Sequence, residues 1–410
     1  MSLLAPLILV GRDPALRLAA SGVFLFGAFA GAIAPYFSLI AVETFGLGNR
    51  AFAALLVVSS VLSVASSVAA GILTDQRANR RTVALLSAGL LFLGSAAVFL
   101  FPTLPIFLVA HAILLPAGSA IMGQFFALAR LAATESAPVE RDAILAAIRA
   151  IFALPFLIVL PLVSWAIRQG APIMSIYTLL FAITLCLVAL TAAFWPRDGR
   201  TGWQDRPSGL SFRAALAEIA HLRVSVRVVL IGAVTGASAL YMVLMGLIFT
   251  QSAGRDAGDV ALYAGLMAGL EVPFMLATPL MFRRYSKTAL IAAGAAVYAV
   301  HLSGLALLAA TPWVWLLIIP GAAGGAVILS LPIAYLQDLM ADRPGTGSSL
   351  MAVQRIAADG FCAAAFVIGA ALSGYGLAAI AGSAIAVGAA LILVAIDARG
   401  AAAIASRRTL

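Results

Sequence analysis

Long apolar runs alternate with short polar ones along the whole chain. A helix needs about 20 residues to cross ~30 Å of hydrocarbon, and twelve runs meet that length: 17–42, 51–73, 82–101, 104–129, 143–167, 173–195, 227–251, 260–282, 288–310, 313–337, 348–373 and 377–397. This pattern predicts an all-α membrane protein with twelve transmembrane helices. The polar stretch 196–226, rich in arginine and carrying Pro, Gly and Asp, separates the sixth run from the seventh. The expected organisation is an N-terminal six-helix bundle over 1–195, a cytoplasmic linker over 196–226 and a C-terminal six-helix bundle over 227–410.

The basic residues set the orientation. Of 25 arginines and lysines, twenty fall on one side of the membrane, three (Arg50, Arg168 and Arg255) on the other, and two (Arg149 and Arg355) inside runs. By the positive-inside rule both termini are expected in the cytoplasm. The halves also resemble each other. Gly27-x-x-x-Gly31 recurs as Gly232-x-x-x-Gly236, 205 residues on; Arg149 is matched by Arg355 at 206; the basic loop after the second run recurs after the eighth, with Asp75 opposite Arg283 at 208. Such spacing marks an internal repeat. Parallel repeats of this kind predict two pseudo-symmetric bundles with a solute site between them near the bilayer midplane.

Composition sharpens the class. Hydrophobic residues make up 63% of the chain and charged ones 10%, against about a quarter charged in soluble proteins; mean hydropathy is +1.10. The net charge of +9 does not point to nucleic acid, because the arginines sit in short loops where membrane topology accounts for them. Cys186 and Cys362 both lie inside apolar runs and imply no disulfide framework. The apolar stretch Leu3 to Val10 is too short to span, so it reads as an interfacial tail and not as a cleaved signal.

Ionisable residues inside runs are the candidate chemistry, since a charge in hydrocarbon costs at least ~2.5–3.5 kcal/mol on insertion scales. Glu271 falls about eleven residues, or ~16 Å, into the eighth run. It is a proton-coupling or solute-binding acid, or else a neutral carboxyl bonded to a neighbouring helix. Asp338 closes the tenth run near the cytoplasmic edge, as a second coupling candidate or a simple interfacial acid. Arg149 lies eight residues beyond Arg141, ~12 Å deeper, which strains snorkelling; it pairs with an acid, lines a cavity or holds helix-end carbonyls. Arg355 has Asp359 at i+4 and suggests a structural ion pair. Pro35, Pro155, Pro161, Pro273 and Pro332 interrupt runs and predict bends. No metal-binding or nucleophilic constellation and no phosphate-binding Gly-rich loop with its lysine occurs, so neither an enzyme nor an ATP-driven pump is expected, and no cofactor or metal is implied. A non-transporting membrane sensor would be expected to carry an appended soluble domain.

Three runs of sequence resemble the bacterial sugar efflux transporters of the major facilitator superfamily: Gln124-Phe125-Phe126-Ala127-Leu128-Ala129-Arg130, Gly269-Leu270-Glu271-Val272-Pro273, and Tyr335-Leu336-Gln337-Asp338-Leu339-Met340. The resemblance implies the major facilitator fold in the bacterial inner membrane, and proton-coupled efflux of a sugar or sugar-like solute by alternating access, with protons and the lipid bilayer as the other partners and a monomer as sufficient. Export of drugs or other amphipathic solutes is the alternative within the same fold. It also implies that Gln124, Tyr241, Tyr335 and Gln337 lie on cavity-lining helices, where they and Arg149 are candidate solute contacts; Gln124, Tyr241 and Tyr335, each taken alone, are more often an inter-helix hydrogen bond or an interface anchor. His111 and His301 are weaker candidates, and His301 is expected to be structural. The loop from Gly71 to Arg81 resembles the superfamily's signature loop, a cytoplasmic latch of Gly71, Asp75, Arg77, Arg80 and Arg81. Gln76, Ala78 and Asn79 depart from its pattern, and Asn79 can still make the turn.

Overall fold

The computed structural model describes residues 5–77, 79–197, 203, 222–281, 285–339 and 347–408, and within these every regular element is helical. Eleven helices among them are long and apolar enough to cross a membrane. The 25-residue helix Ala257–Met281 takes the remaining eighth place, giving twelve spans. Most of the linker 196–226 falls outside the described residues.

The first span begins at Pro14–Ile33, where Asp13 accepts a hydrogen bond from Leu16 N at 2.8 Å and Pro14 supplies the fixed φ of a first helical position. It breaks at Ala34–Tyr36, beside Pro35, and resumes as Phe37–Leu39 and a π-helical turn, Ile40–Thr44. The second and third spans are Asn49–Arg77 and Arg80–Leu100. The fourth runs in pieces from Leu104 to Glu135 and ends with Ile121–Ala132 and a short 3-10 turn. The fifth is two helices, Pro138–Ile151 and Leu154–Arg168, parted at Phe152–Ala153 just before Pro155. Pro161, Pro273 and Pro332 stay within continuous helix. The sixth span is Ser175–Phe194. The seventh is Leu222–Leu247 with a π-helical turn at Ile248–Ser252, and the ninth to twelfth are Lys287–Leu308, Ile318–Leu339, Gly347–Leu372 and Tyr375–Arg408.

The duplicated design is visible in the packing. A Cβ at Gly27 would strike the carbonyl oxygen of Phe152, and one at Gly31 would touch the Phe156 ring at 3.4 Å. Moved on by 205 residues, Gly232 meets Ala357 and Gly236 meets Phe361 at 3.4 Å. Thus 27 maps to 232, 152 to 357 and 156 to 361. Small residues let the first span approach the fifth, and the seventh the eleventh, closely enough for backbone contact. The span ends repeat as well. The π-turns that close the first and seventh spans each lead into a glycine in the left-handed region, Gly46 at φ +66° and Gly254 at φ +64°, a conformation that L side chains resist.

The chain divides into two compact units: Met1–Ala34 with Val58–Gly209, and Pro35–Val57 with Leu210–Leu410. In the second unit the segment 35–57 is held by side-chain bonds. Tyr36 Oη donates to Ala257 O at 2.8 Å, Thr250 Oγ1 to Glu43 Oε1 at 2.8 Å, and Tyr375 Oη to Asn49 Oδ1 at 3.1 Å. Phe52 meets Phe366 edge-on at 5.5 Å.

Candidate functional site

Glu271 lies on the eighth span, 14 residues past Ala257 and so ~21 Å along it. It is half-buried, and no hydrogen bond joins it to another described residue. Room for it comes from the tenth span, where a Cβ at Gly325 would collide with the Glu271 carboxyl and lie 3.5 Å from the Tyr298 ring. One turn earlier, a Cβ at Gly321 would fall 2.6 Å from His301 Nδ1. The Gly321-x-x-x-Gly325 pair therefore makes space for two polar side chains and not only for a neighbouring backbone.

Aromatic and imidazole rings fill the space beside the carboxyl. His301 Nδ1 lies 3.0 Å from Leu317 O and 3.3 Å from the Tyr263 hydroxyl. A carbonyl only accepts, so Nδ1 carries the hydrogen and Nε2 is a lone-pair acceptor. Around this ring stand Tyr241 at 4.9 Å, Tyr298 at 5.2 Å and Tyr263 at 6.0 Å between centroids. His301 Nε2, Tyr241 Oη and Tyr298 Oη are buried without a hydrogen-bond partner; Ser238 lies beside the Tyr298 hydroxyl but outside bonding geometry. Glu271 is within electrostatic reach of both tyrosine hydroxyls. A half-buried acid thus lies beside the Tyr298 ring and within electrostatic reach of two buried phenols, groups able to accept, donate or pass a proton. Tyr298 and His301, three residues apart on one helix face, are the sequence signal for the ring cluster that the reading by spans passed over.

The other candidates are distributed more widely. Asp338 is 64% exposed and pairs with Lys287 at 2.5 Å. The Tyr335 hydroxyl donates to Asp397 and accepts from Arg227. Gln124, in the first unit, is buried, with Oε1 unpartnered. In the same unit Arg149 is exposed in the last turn of Pro138–Ile151. Arg355 Nε lies 2.7 Å from Asp359 Oδ2 on the eleventh span. Within the latch loop, Thr74 Oγ1 bonds to Gly71 O, Arg80 Nη1 donates to Thr74 Oγ1 at 3.2 Å, and Arg81 Nη2 reaches Ala192 O at 3.0 Å. The side chains of Asp75, Arg77 and Gln337 lie outside the described residues. His111, buried, shares a 2.6 Å hydrogen bond with Tyr177. Among the described residues no three His, Cys, Asp or Glu side chains come together as metal ligands.

The family model of the Major Facilitator Superfamily matches residues 19–358. A protein of Deinococcus radiodurans named "Putative sugar efflux transporter" is 25% identical over 337 residues, which cover 80% of this chain and 84% of that protein. The crystal structure of the nucleoside transporter NupG matches with a TM-score of 0.75 at 13% identity, over 94% of this chain and 99% of that one. The xylose transporter XylE from E. coli matches with a TM-score of 0.66 at 16% identity, over 92% and 95%. At these identities the structures speak to the fold alone. With twelve spans, an internal repeat and a family match across most of its length, the chain belongs to the Major Facilitator Superfamily.

Proposed function

We propose that this transporter is a proton-coupled secondary carrier that exports a sugar or sugar-like solute, exposing its site alternately to the two sides of a bacterial inner membrane. Glu271 carries the coupled proton. The observation behind this is a carboxyl deep in the eighth span with no bonding partner among the described residues, beside two unpartnered tyrosine hydroxyls. An intramembrane acid is costly and is retained where it serves a pathway or a proton relay. One proton crossing ~100 mV supplies ~2.3 kcal/mol, enough for a solute gradient of roughly fiftyfold. Asp338, nearer the end of its span, is the second coupling candidate.

Likeness to a sugar efflux protein supports the solute class. Gln124, Tyr241, Tyr335 and Gln337 offer donors and acceptors for hydroxyls, and the tyrosine rings an apolar face for the sugar ring. Tyr335 joins them by exchanging Arg227 and Asp397 for the solute. The functional halves are 1–195 and 227–410, with the linker 196–226, both termini and the latch loop at the arginine-rich, cytoplasmic side. The Asp75, Arg77, Arg80 and Arg81 group steadies one access state.

The test is transport in proteoliposomes with labelled mono- and disaccharides and cationic dyes, with and without a pH gradient. A sugar should accumulate only when the gradient is present. Glu271→Gln should insert normally, lose accumulation against a gradient and keep passive exchange. Wild-type accumulation in that variant removes Glu271 from the mechanism, and dye transport without sugar transport replaces the solute.

A further inference from the structure

We infer that the solute carries a negative charge, a carboxylate or a phosphate, and that Arg149 receives it. The inference rests on the transporter reading above and names its substrate class.

Arg149 belongs to the membrane-embedded part of the fifth span. At the start of Pro138–Ile151, Arg141 is fixed to the preceding loop by bonds from Nε to Ser136 O and from Nη2 to Thr134 O. Arg149 lies eight residues, ~12 Å, further along the helix. Its side chain is exposed, and no hydrogen bond or ion pair joins it to a described residue. Two arginines on the spans of the second unit differ, Arg355 inside its run and Arg227 at the start of its run. Arg227 is 2.8 Å from Asp397, and Arg355 is 2.7 Å from Asp359.

Among the described residues of the first unit no carboxylate pairs with Arg149. The sequence has no Asp or Glu at 14–42, 44–74, 76–134 or 143–197, so the acids of that unit's spans, Asp75, Glu135, Glu140 and Asp142, stand towards the span ends and none lies level with or beyond Arg149 on the fifth. At i+4 from Arg149, where Arg355 has its aspartate, stands Ala153. Nor is the guanidinium occupied in capping its own helix. The carbonyls of Arg149 and Ala150 already accept bonds from Phe152 N at 3.2 Å and Ala153 N at 3.1 Å.

An exposed cation at this depth cannot rest against acyl chains. Its five donors, set in a planar fork, match the paired oxygens of a carboxylate or phosphate. An anionic solute therefore supplies the charge that the bundle omits. Export of a monoanion runs down an inside-negative potential and would gain roughly fiftyfold per 100 mV from the field. A lipid phosphate has the same chemistry as a solute phosphate, and the experiment has to separate the two.

Binding of labelled glucose, gluconate and glucose 6-phosphate to the full chain in zwitterionic nanodiscs provides the test, with phosphatidylglycerol nanodiscs as the second arm. One of the two anions should bind at least about tenfold tighter than glucose, the size of one charge-assisted bond. Arg149→Gln should erase that preference with its unfolding temperature unchanged, and Arg149→Lys should keep part of it. Equal binding of glucose, or an anion preference that survives Arg149→Gln, overturns the inference and leaves the carrier reading intact. If Arg149→Gln alters only the response to phosphatidylglycerol, the site is a lipid contact and the inference falls. If no sugar binds but acetate or inorganic phosphate does so through Arg149, the inference stands and the sugar reading fails.

Discussion

Tyr335 and Asp397 form one side of a closed triangle: the phenol donates to Asp397 Oδ2 at 2.9 Å, while Arg227 Nε lies 2.9 Å from Asp397 Oδ1 and 3.1 Å from the phenol oxygen. The triangle joins the seventh, tenth and twelfth spans near their arginine-rich ends. Tyr335→Phe removes two of its bonds and keeps the ion pair, at a cost of about 1–3 kcal/mol for bonds to charged groups. Asp397→Ala removes more, because it strands a partly buried arginine. Thermal unfolding in detergent should rank the wild type above Tyr335→Phe and Tyr335→Phe above Asp397→Ala. An Asp397→Ala protein as stable as the wild type would show that the triangle contributes nothing to holding the spans together.

The same triangle marks the limit of reading this chain from its sequence. Span positions, the repeat and the Gly-x-x-x-Gly faces were legible, because each depends on local periodicity or fixed spacing. Gly27 and Gly232 meet equivalent neighbours at the offset that the motif itself displays. Contacts between spans were not legible. Nothing around residue 335 indicates that its hydroxyl meets residues 108 positions earlier and 62 later. The ring cluster was hidden in the same way. His301 reads as an isolated histidine on a peripheral helix until Tyr241 and Tyr263 arrive from the seventh and eighth spans. The fifth span was half legible: Pro155 predicted a bend, but the helix parts two residues earlier, at Phe152–Ala153, because a proline ring crowds the turn before it.

Glycines 321 and 325 allow the fit of the polar cluster to be altered without touching its polar groups. Alanine at 325 pushes on the end of a flexible Glu271 side chain, whereas alanine at 321 pushes on a fully buried histidine ring. The first collision is relieved by rotating the carboxyl, and the second cannot be relieved without moving the packed rings. Gly325→Ala should therefore unfold near the wild-type temperature yet lose proton-driven accumulation, as Glu271→Gln does. Gly321→Ala should lose about 1–3 kcal/mol, the usual cost of overpacking a core. Unfolding curves and uptake assays on the two variants check this, and equal uptake by Gly325→Ala and wild type would show that the position of Glu271 is not critical.

Leu39 and Gly246 provide a direct handle on the segment 35–57. A Cβ built at Gly246 would lie 3.5 Å from the Leu39 Cβ, at the short end of the 3.5–4.5 Å range of disulfide-bonded cysteines. The segment sits at the ends of the spans away from the arginine-rich loops, tied down by Tyr36, Glu43 and Asn49. On the proposed alternating-access cycle these bonds open when the site is exposed to that end. Leu39→Cys with Gly246→Cys, in a chain where Cys186 and Cys362 are replaced by serine, should oxidise to an internal disulfide, detected by loss of both thiols to maleimide. Transport should stop on oxidation and return with reductant. Undiminished transport by the oxidised protein would show that the solute reaches the far side without parting this contact.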